Sequence, residues 1–291
     1  MIKTAWQKPA VKIAFWMTFS AIGFGCLMGL FRFVGQDLHV FVMSFWRFVF
    51  SFLLFLPWAM RAGPGTVRSR RMGLHVLRAC FLIVASTSLI TATLFMPLDE
   101  VTALSFTTPL FSVIGAVLFL RERAGLRRWL AMAVGFIGIL IIIRPGFTAI
   151  HWAAILILIS ALTFAGVVLC GKVLSRSESP EQITFLLATT CMPISLLPAL
   201  VYWQWPTPME FFWIFLMAVS SNANMYGISR ALQAGDASAT QPYDFLRLPT
   251  TAAVGWLAFG ETSDLWTWIG AAVIFASTIY VTRLEARRAA V

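Results

Sequence analysis

Charge is scarce in this chain. Only 12% of its 291 residues are Asp, Glu, Lys or Arg, against about 25% in an ordinary soluble domain, and that shortfall excludes a soluble globular enzyme of the usual surface composition. Histidine is nearly absent: His39, His75 and His151 sit near the ends of apolar runs without metal-ligand spacing, so they read as interfacial residues and no metal site is expected. The four cysteines, Cys26, Cys80, Cys170 and Cys191, lie inside apolar runs with no CxxC pair, which makes them reduced packing residues rather than a disulfide framework. Once the ends of the apolar runs are set aside, a second Asp within them is lacking, which excludes a membrane aspartyl protease sharing one proton between two carboxylates. No Ser or Cys has a neighbouring base, so hydrolase chemistry has no nucleophile. The stretch GFGCLMG at 23–29 carries GxG spacing, but no strand precedes it, and close helix packing is the better account than a phosphate cradle. No cofactor is expected.

What remains is apolar. Hydrophobic residues make up 59% of the chain and the mean hydropathy is +0.84, a membrane composition. A helix crossing a hydrocarbon core of ~30 Å needs about 20 residues, and runs of that length occur at about 13–34, 39–60, 73–96, 98–120, 127–144, 150–172, 181–203, 209–230, 236–259 and 264–283. These predict an all-α integral membrane protein of ten transmembrane helices. Turn-forming clusters, GPG at 63–65, PLDE at 97–100, RPG at 144–146 and WPTP at 205–208, fall between the runs. Lys3, Lys8 and Lys12 precede a first run without a cleavage site, so that run reads as a retained helix.

Orientation follows from the basic residues. With the N-terminus cytoplasmic, the inner segments hold Arg61, Arg68, Arg70, Arg71, Arg121, Arg123, Arg127, Arg128, Lys172, Arg176, Arg230, Arg283, Arg287 and Arg288, while the outer ones hold Arg32 and Arg144. That asymmetry predicts both termini in the cytoplasm and explains the net charge of +10 as a membrane-facing rim rather than a nucleic-acid interface. An internal repeat completes the plan. Pro109, Glu122 and Trp129 in 107–140 match Pro249, Glu261 and Trp268 in 247–279 with a one-residue slip. Halves of five helices, 1–146 and 147–291, then have opposite orientations, and such inverted repeats place a binding site near the midplane between them.

Charges within the runs are the candidates for function. An intramembrane charge costs at least ~2.5–3.5 kcal/mol and must find a partner or a cavity. TQPYDFLRLP at 240–249 carries Asp244 and Arg247 three residues apart, ~12–17 Å from the inner end of the ninth helix at 1.5 Å per residue. Tyr243 and Gln241 lie close by on the same turns. The pair is either a neutralised structural contact or a clamp for a ligand's carboxylate and ammonium. Pro242 and Pro249 each remove a backbone donor there. Arg47 is a structural clamp or a gate, and Arg78 reads as snorkelling to the inner surface. Asn222 and Tyr226 share a face at i, i+4 and could line a cavity. Thr108, with Ser105 and Thr107, and the Ser86, Thr87, Ser88, Thr91 group offer ligand contacts or interhelical hydrogen bonds. Trp16, Phe15, Trp46 and Phe164 could stack a planar ligand or form an aromatic belt.

The stretches LHVFVMSFWRFVFSFLLFLP (38–57), 96–146 and GDASATQPYDFLRLPTTAAVGWLAFGE (235–261) carry a resemblance. The whole chain resembles the drug/metabolite transporter superfamily in its ten-helix EamA-type branch, and within it bacterial S-adenosylmethionine uptake transporters. The resemblance implies ATP-independent alternating access in a bacterial inner membrane, as a monomer or homodimer, with a central cavity drawn from both repeats. It departs at one point: the related pattern carries the base before the acid, whereas Asp244 here precedes Arg247. The expected substrate is a small organic metabolite, an amino-acid-like zwitterion such as S-adenosylmethionine, with riboflavin or an amino acid as the alternative. Coupling to a proton or to a counter-substrate is open.

Overall fold

The computed structural model describes residues 9–34, 38–63, 68–95, 101, 104–105, 107–121, 125–143 and 152–259, with individual residues between 265 and 276. The described elements are all helical: α1 (Pro9–Val34), α2 (Val40–Ala62), α3 (Met72–Phe95), α4 (Thr108–Leu120), α5 (Leu126–Ile143), α6 (Ala153–Leu174), α7 (Pro180–Val201), α8 (Pro208–Ala234), α9 (Ala237–Thr240), a 3-10 stretch Gln241–Leu246, and α10 (Arg247–Phe259). Of these, α1, α2, α3, α6, α7 and α8 are long and apolar enough to cross a membrane, and Phe111–Leu120 is a shorter apolar helix. The last expected run, 264–283, falls largely outside the described residues, as do Glu122 and Glu261 of the repeat.

Local chemistry sets where the helices start. Ser179 caps α7 by accepting from the Gln182 N–H, with Pro180 at the first helical position, where its missing donor costs nothing. Thr207 and Glu210 form a capping box ahead of α8, satisfying two orphan donors reciprocally. Within the helices, Thr87, Thr163, Thr184, Thr189 and Thr190 return their hydroxyls to carbonyls four residues back, which is how an apolar span carries polar side chains without an unmet donor.

Packing pairs each half with the other. The most extensive contacts are α1 with α8, α3 with α6, α2 with α7, and α1 with α10, followed by α4 with α6. Gly23 of GFGCLMG and Gly227 of α8 make the first of these possible: a Cβ at Gly23 would stand 2.9 Å from the Asn224 nitrogen and 2.9 Å from the Ser220 carbonyl, and one at Gly227 would stand 2.7 Å from the Trp16 carbonyl. Backbones touch at that crossing, as small residues allow in membrane bundles. Polar side chains pin the crossings: Asn224 donates to the Ser20 carbonyl at 3.0 Å, Ser160 to Ala85 at 2.7 Å, and Thr250 to Ala21 at 2.9 Å. The outer surface is the reverse of a soluble protein's, with Phe119 78% and Leu257 74% exposed. Such apolar exposure belongs against lipid tails.

The ninth segment, 237–259, is broken. Rather than one α-helix it runs α9, then the 3-10 stretch, then α10. Pro242 sits at the start of the 3-10 stretch and Pro249 in the first turn of α10, so two donors are absent where the winding tightens. In 3-10 geometry residues i and i+3 eclipse, and that stacks Arg247 directly over Asp244.

Candidate functional site

The broken segment opens onto a cavity of about 610 Å³ of empty space, a figure that includes space open to the surroundings. Seven helical elements wall it, α4 among them through Thr108. From α1 come Phe24, Leu27 and Phe31; from α2, Arg47; from α3, Leu82, Ser86 and Leu89; from α6, Ser160 and Phe164; from α8, Ser221, Asn224 and Met225; from α10, Arg247; and Ser105 and Thr108 close one side. Apolar walls with a few convergent polar groups are the general form of a metabolite site.

Arg247 and Asp244 meet at 2.9 Å, nitrogen Nε to oxygen Oδ1, with side chains 9% and 7% exposed. The guanidinium also lies over Phe24 at 4.6 Å and Phe164 at 5.2 Å, a cation–π sandwich that holds its plane against the cavity wall. Asp244 is not part of the lining. Arg47 is the second cavity cation: buried, over Phe48 at 4.6 Å, and donating through Nη1 to Ser221 Oγ at 3.2 Å.

The other expected residues distribute as follows. Thr108 and Phe164 line the cavity, Thr108 with its hydroxyl on the Ser105 carbonyl at 2.7 Å. Tyr243 is fully buried in the core beside them. The Gln241 side chain lies outside the described residues. Asn222 faces α2 instead, donating to the Ser51 carbonyl at 3.4 Å; the α8 face turned to the cavity is Ser221, Asn224 and Met225, one residue out of phase with the expected Asn222 and Tyr226. Trp16 packs edge-on to Phe15, Phe19 and Tyr226, away from the cavity, and Trp46 joins Phe50, Trp203, Trp205 and Phe211 in an aromatic cluster. Arg78 does not snorkel. It is completely buried, with Nε on the Val167 carbonyl at 3.2 Å, because the α3–α6 crossing covers the surface it was expected to reach.

The two ends of the bundle differ. At the end where α1 begins, polar contacts tie elements of both halves together. Glu178, between α6 and α7, accepts from Ser69 and meets His75 Nε2 at 2.7 Å; Arg71 donates to the Val173 carbonyl and Gln182 to the Arg68 carbonyl. Arg230 pairs with Glu181 at 2.6 Å, and Tyr226 donates to the same carboxylate at 2.7 Å. His75 is therefore buried and paired, not interfacial, since the loop before α7 folds over it. At the other end aromatics gather. His39 caps α2 and stacks on Tyr202 at 3.9 Å between centroids, and burial holds its imidazole below its ordinary pKa; Tyr202 and Trp205 are exposed beside it, as in an interfacial belt. The cavity lining reaches toward this end, through Phe31, Leu89 and Ser105, while the described residues of the opposite end are tied together by the polar contacts above.

A profile of the EamA-like transporter family matches residues 11–144 and again 151–283. The chain belongs to this family. The EamA-like chain is 34% identical over 282 residues to a riboflavin transporter of Rhizobium johnstonii, covering 96% of this chain and 93% of that one. It is 30% identical over 281 residues to a riboflavin transporter of Vibrio cholerae, covering 94% of each, and 29% identical over 270 residues to an S-adenosylmethionine uptake transporter of Rickettsia bellii, covering 93% of each. A solved crystal structure with 17% identity superposes with a TM-score of 0.75 over 94% of this chain and 98% of its own, a likeness of fold. This EamA-family protein is thus a multi-pass transporter of a small metabolite and not an enzyme, and its bacterial relatives put it in the inner membrane.

Two groups that matter here were not picked out in the sequence. Asn224 and Ser221 carried no signal beyond a polar run on one helix. Glu178 stood in a loop, where a carboxylate is ordinarily solvated, and only the folded loop buries it.

Proposed function

We propose that this chain carries a flat, uncharged, carbonyl-bearing heteroaromatic metabolite of the riboflavin class, by alternating access between two inverted halves, 1–146 and 147–291. The observation that carries this reading is the balance of the cavity: two arginines, three phenylalanines and a set of hydroxyl and amide groups, with no carboxylate among the described lining residues. Phenylalanine faces suit a tricyclic ring, and guanidinium and hydroxyl donors suit its carbonyl and ribityl oxygens. S-adenosylmethionine, whose sulfonium and ammonium give it net positive charge, would meet Arg47 there, unpaired among the described residues, and the acid that could answer its ammonium is committed to Arg247. The zwitterion reading keeps support from relatives of that name at 29–30% identity and requires the Asp244–Arg247 contact to open on binding.

The alternating-access part rests on symmetry. Exchanging each helix for the one five places along turns the α1–α8 contact into α6–α3, returns α2–α7 to itself, and turns α4–α6 into the ninth segment on α1. Inverted repeats of this kind rock about a fixed midplane site. With the basic loops cytoplasmic, the end tied together around Glu178 is the inner one and the cavity faces outward.

The test is counterflow in proteoliposomes preloaded with unlabelled substrate. We expect saturable accumulation of labelled riboflavin and none of labelled S-adenosylmethionine; the opposite result would overturn the flavin reading. In liposomes without internal substrate, uptake that an imposed proton gradient drives and a protonophore collapses assigns proton coupling, and uptake that requires preloaded substrate assigns exchange.

A further inference from the structure

Of the two cations in the cavity wall, only one has its counterion. Arg247 stands on Asp244 as an ion pair, although the contact is not aligned as a hydrogen bond and its Nη2 also makes none among the described residues. Arg47 has a single hydrogen-bond partner, Ser221 Oγ, and its Nε and Nη2 make none among the described residues. Its side chain is 3% exposed and forms part of the cavity lining, and no carboxylate of the described residues lies within ion-pair distance. Buried charges are ordinarily paired, because leaving one alone in a low-dielectric interior costs several kcal/mol. The stacked Phe48 face relieves part of that cost but accepts no in-plane N–H. A guanidinium donates in its plane, as a fork that matches two adjacent acceptor atoms.

We propose that Arg47 is the substrate-reading cation of the cavity and that it takes a planar pair of adjacent acceptors on the ligand. Arg247, neutralised by Asp244, serves as wall. Resting on the flavin reading above, the acceptor pair is the carbonyl-oxygen and ring-nitrogen edge of the isoalloxazine; the same chemistry would come from a carboxylate if the substrate were an amino acid. Ser221 sets the orientation: its bond to Nη1 joins α2 to α8, elements of opposite halves, and leaves the remaining donors for the ligand. Binding would thereby complete a contact chain from one half through the substrate to the other.

The experiment compares wild type, R47Q and R47K in the same proteoliposomes, with apo stability measured alongside. Hydrogen bonds to a charged group are worth enough that losing them weakens binding by roughly tenfold to a hundredfold. R47Q should therefore lose riboflavin affinity by that much, and R47K, which keeps the charge but not the fork, should lose nearly as much. R47Q should keep or raise the apo melting temperature, since it removes an uncompensated buried charge. A structural clamp predicts the reverse, a lower apo melting temperature with unchanged affinity in the folded fraction, and that outcome overturns the proposal. If wild type takes up S-adenosylmethionine instead, the flavin reading falls but Arg47 stands, provided R47Q loses that uptake and the decarboxylated analogue competes equally with both proteins. Wild type that takes up neither overturns both.

Discussion

Replacing Asp244 by Asn keeps the shape of the side chain and removes the charge facing Arg247. The pair is buried, 9% and 7% exposed, with 2.9 Å between Nε and Oδ1. Removing one partner of such a pair costs about 3–5 kcal/mol, mostly because the survivor stays charged and buried. The two single substitutions should differ. A guanidinium cannot give up its proton, whereas a lone carboxylate can take one and become neutral. R247Q should thus cost less than D244N, even though it also loses the contacts with Phe24 and Phe164, worth about 0.5–1 kcal/mol each. D244N/R247Q, with neither charge, should be more stable than D244N alone. Unfolding in mixed SDS micelles followed by the fluorescence of the 12 tryptophans reads all four proteins. A double variant costing the sum of the singles, or a D244N cost below about 1 kcal/mol as for an exposed pair, would refute the buried-pair account.

Further outcomes follow from other contacts. Gly227→Ala places a Cβ against the Trp16 carbonyl at 2.7 Å and Ser20 Cβ at 2.9 Å, so α1 and α8 must part; we expect a loss of about 1–3 kcal/mol. Gly73→Ala, with nothing within 4 Å, should be neutral or slightly stabilising, and equal melting temperatures for the two would contradict the close crossing. Glu178→Gln weakens the seal between Ser69, His75 and the loop before α7. Spin labels at the exposed Arg70 and Arg176 should then show a broader distribution reaching longer distances, and a distribution matching wild type would remove Glu178 from the seal.

The charges within apolar runs were legible because each is costly in lipid and so stands out from its neighbours: Asp244, Arg247, Arg47 and Arg78 were all marked in this way. Their surroundings were not. The i, i+3 spacing of Asp244 and Arg247 promised a shared helical face, but the 3-10 winding that eclipses them depends on Pro242 and on how α10 packs against α1. Asn222 and Asn224 are chemically alike, and a phase of one residue decides that Asn224 faces Ser20 and the cavity while Asn222 faces α2. Arg78 at a helix beginning looked able to reach water; the α6 backbone at Val167 covers it.

Composition and the spacing of apolar runs, basic loops and turn clusters by themselves determined an all-helical membrane protein, since the lipid phase admits few ways to satisfy a backbone. The resemblance carried by three stretches named the family. What only the tertiary structure decided is which charges are matched. Whether Arg247 is neutralised and Arg47 is left with donors facing the cavity depends on side chains brought from distant helices to within a few ångströms, and no pattern along one chain encodes that distance.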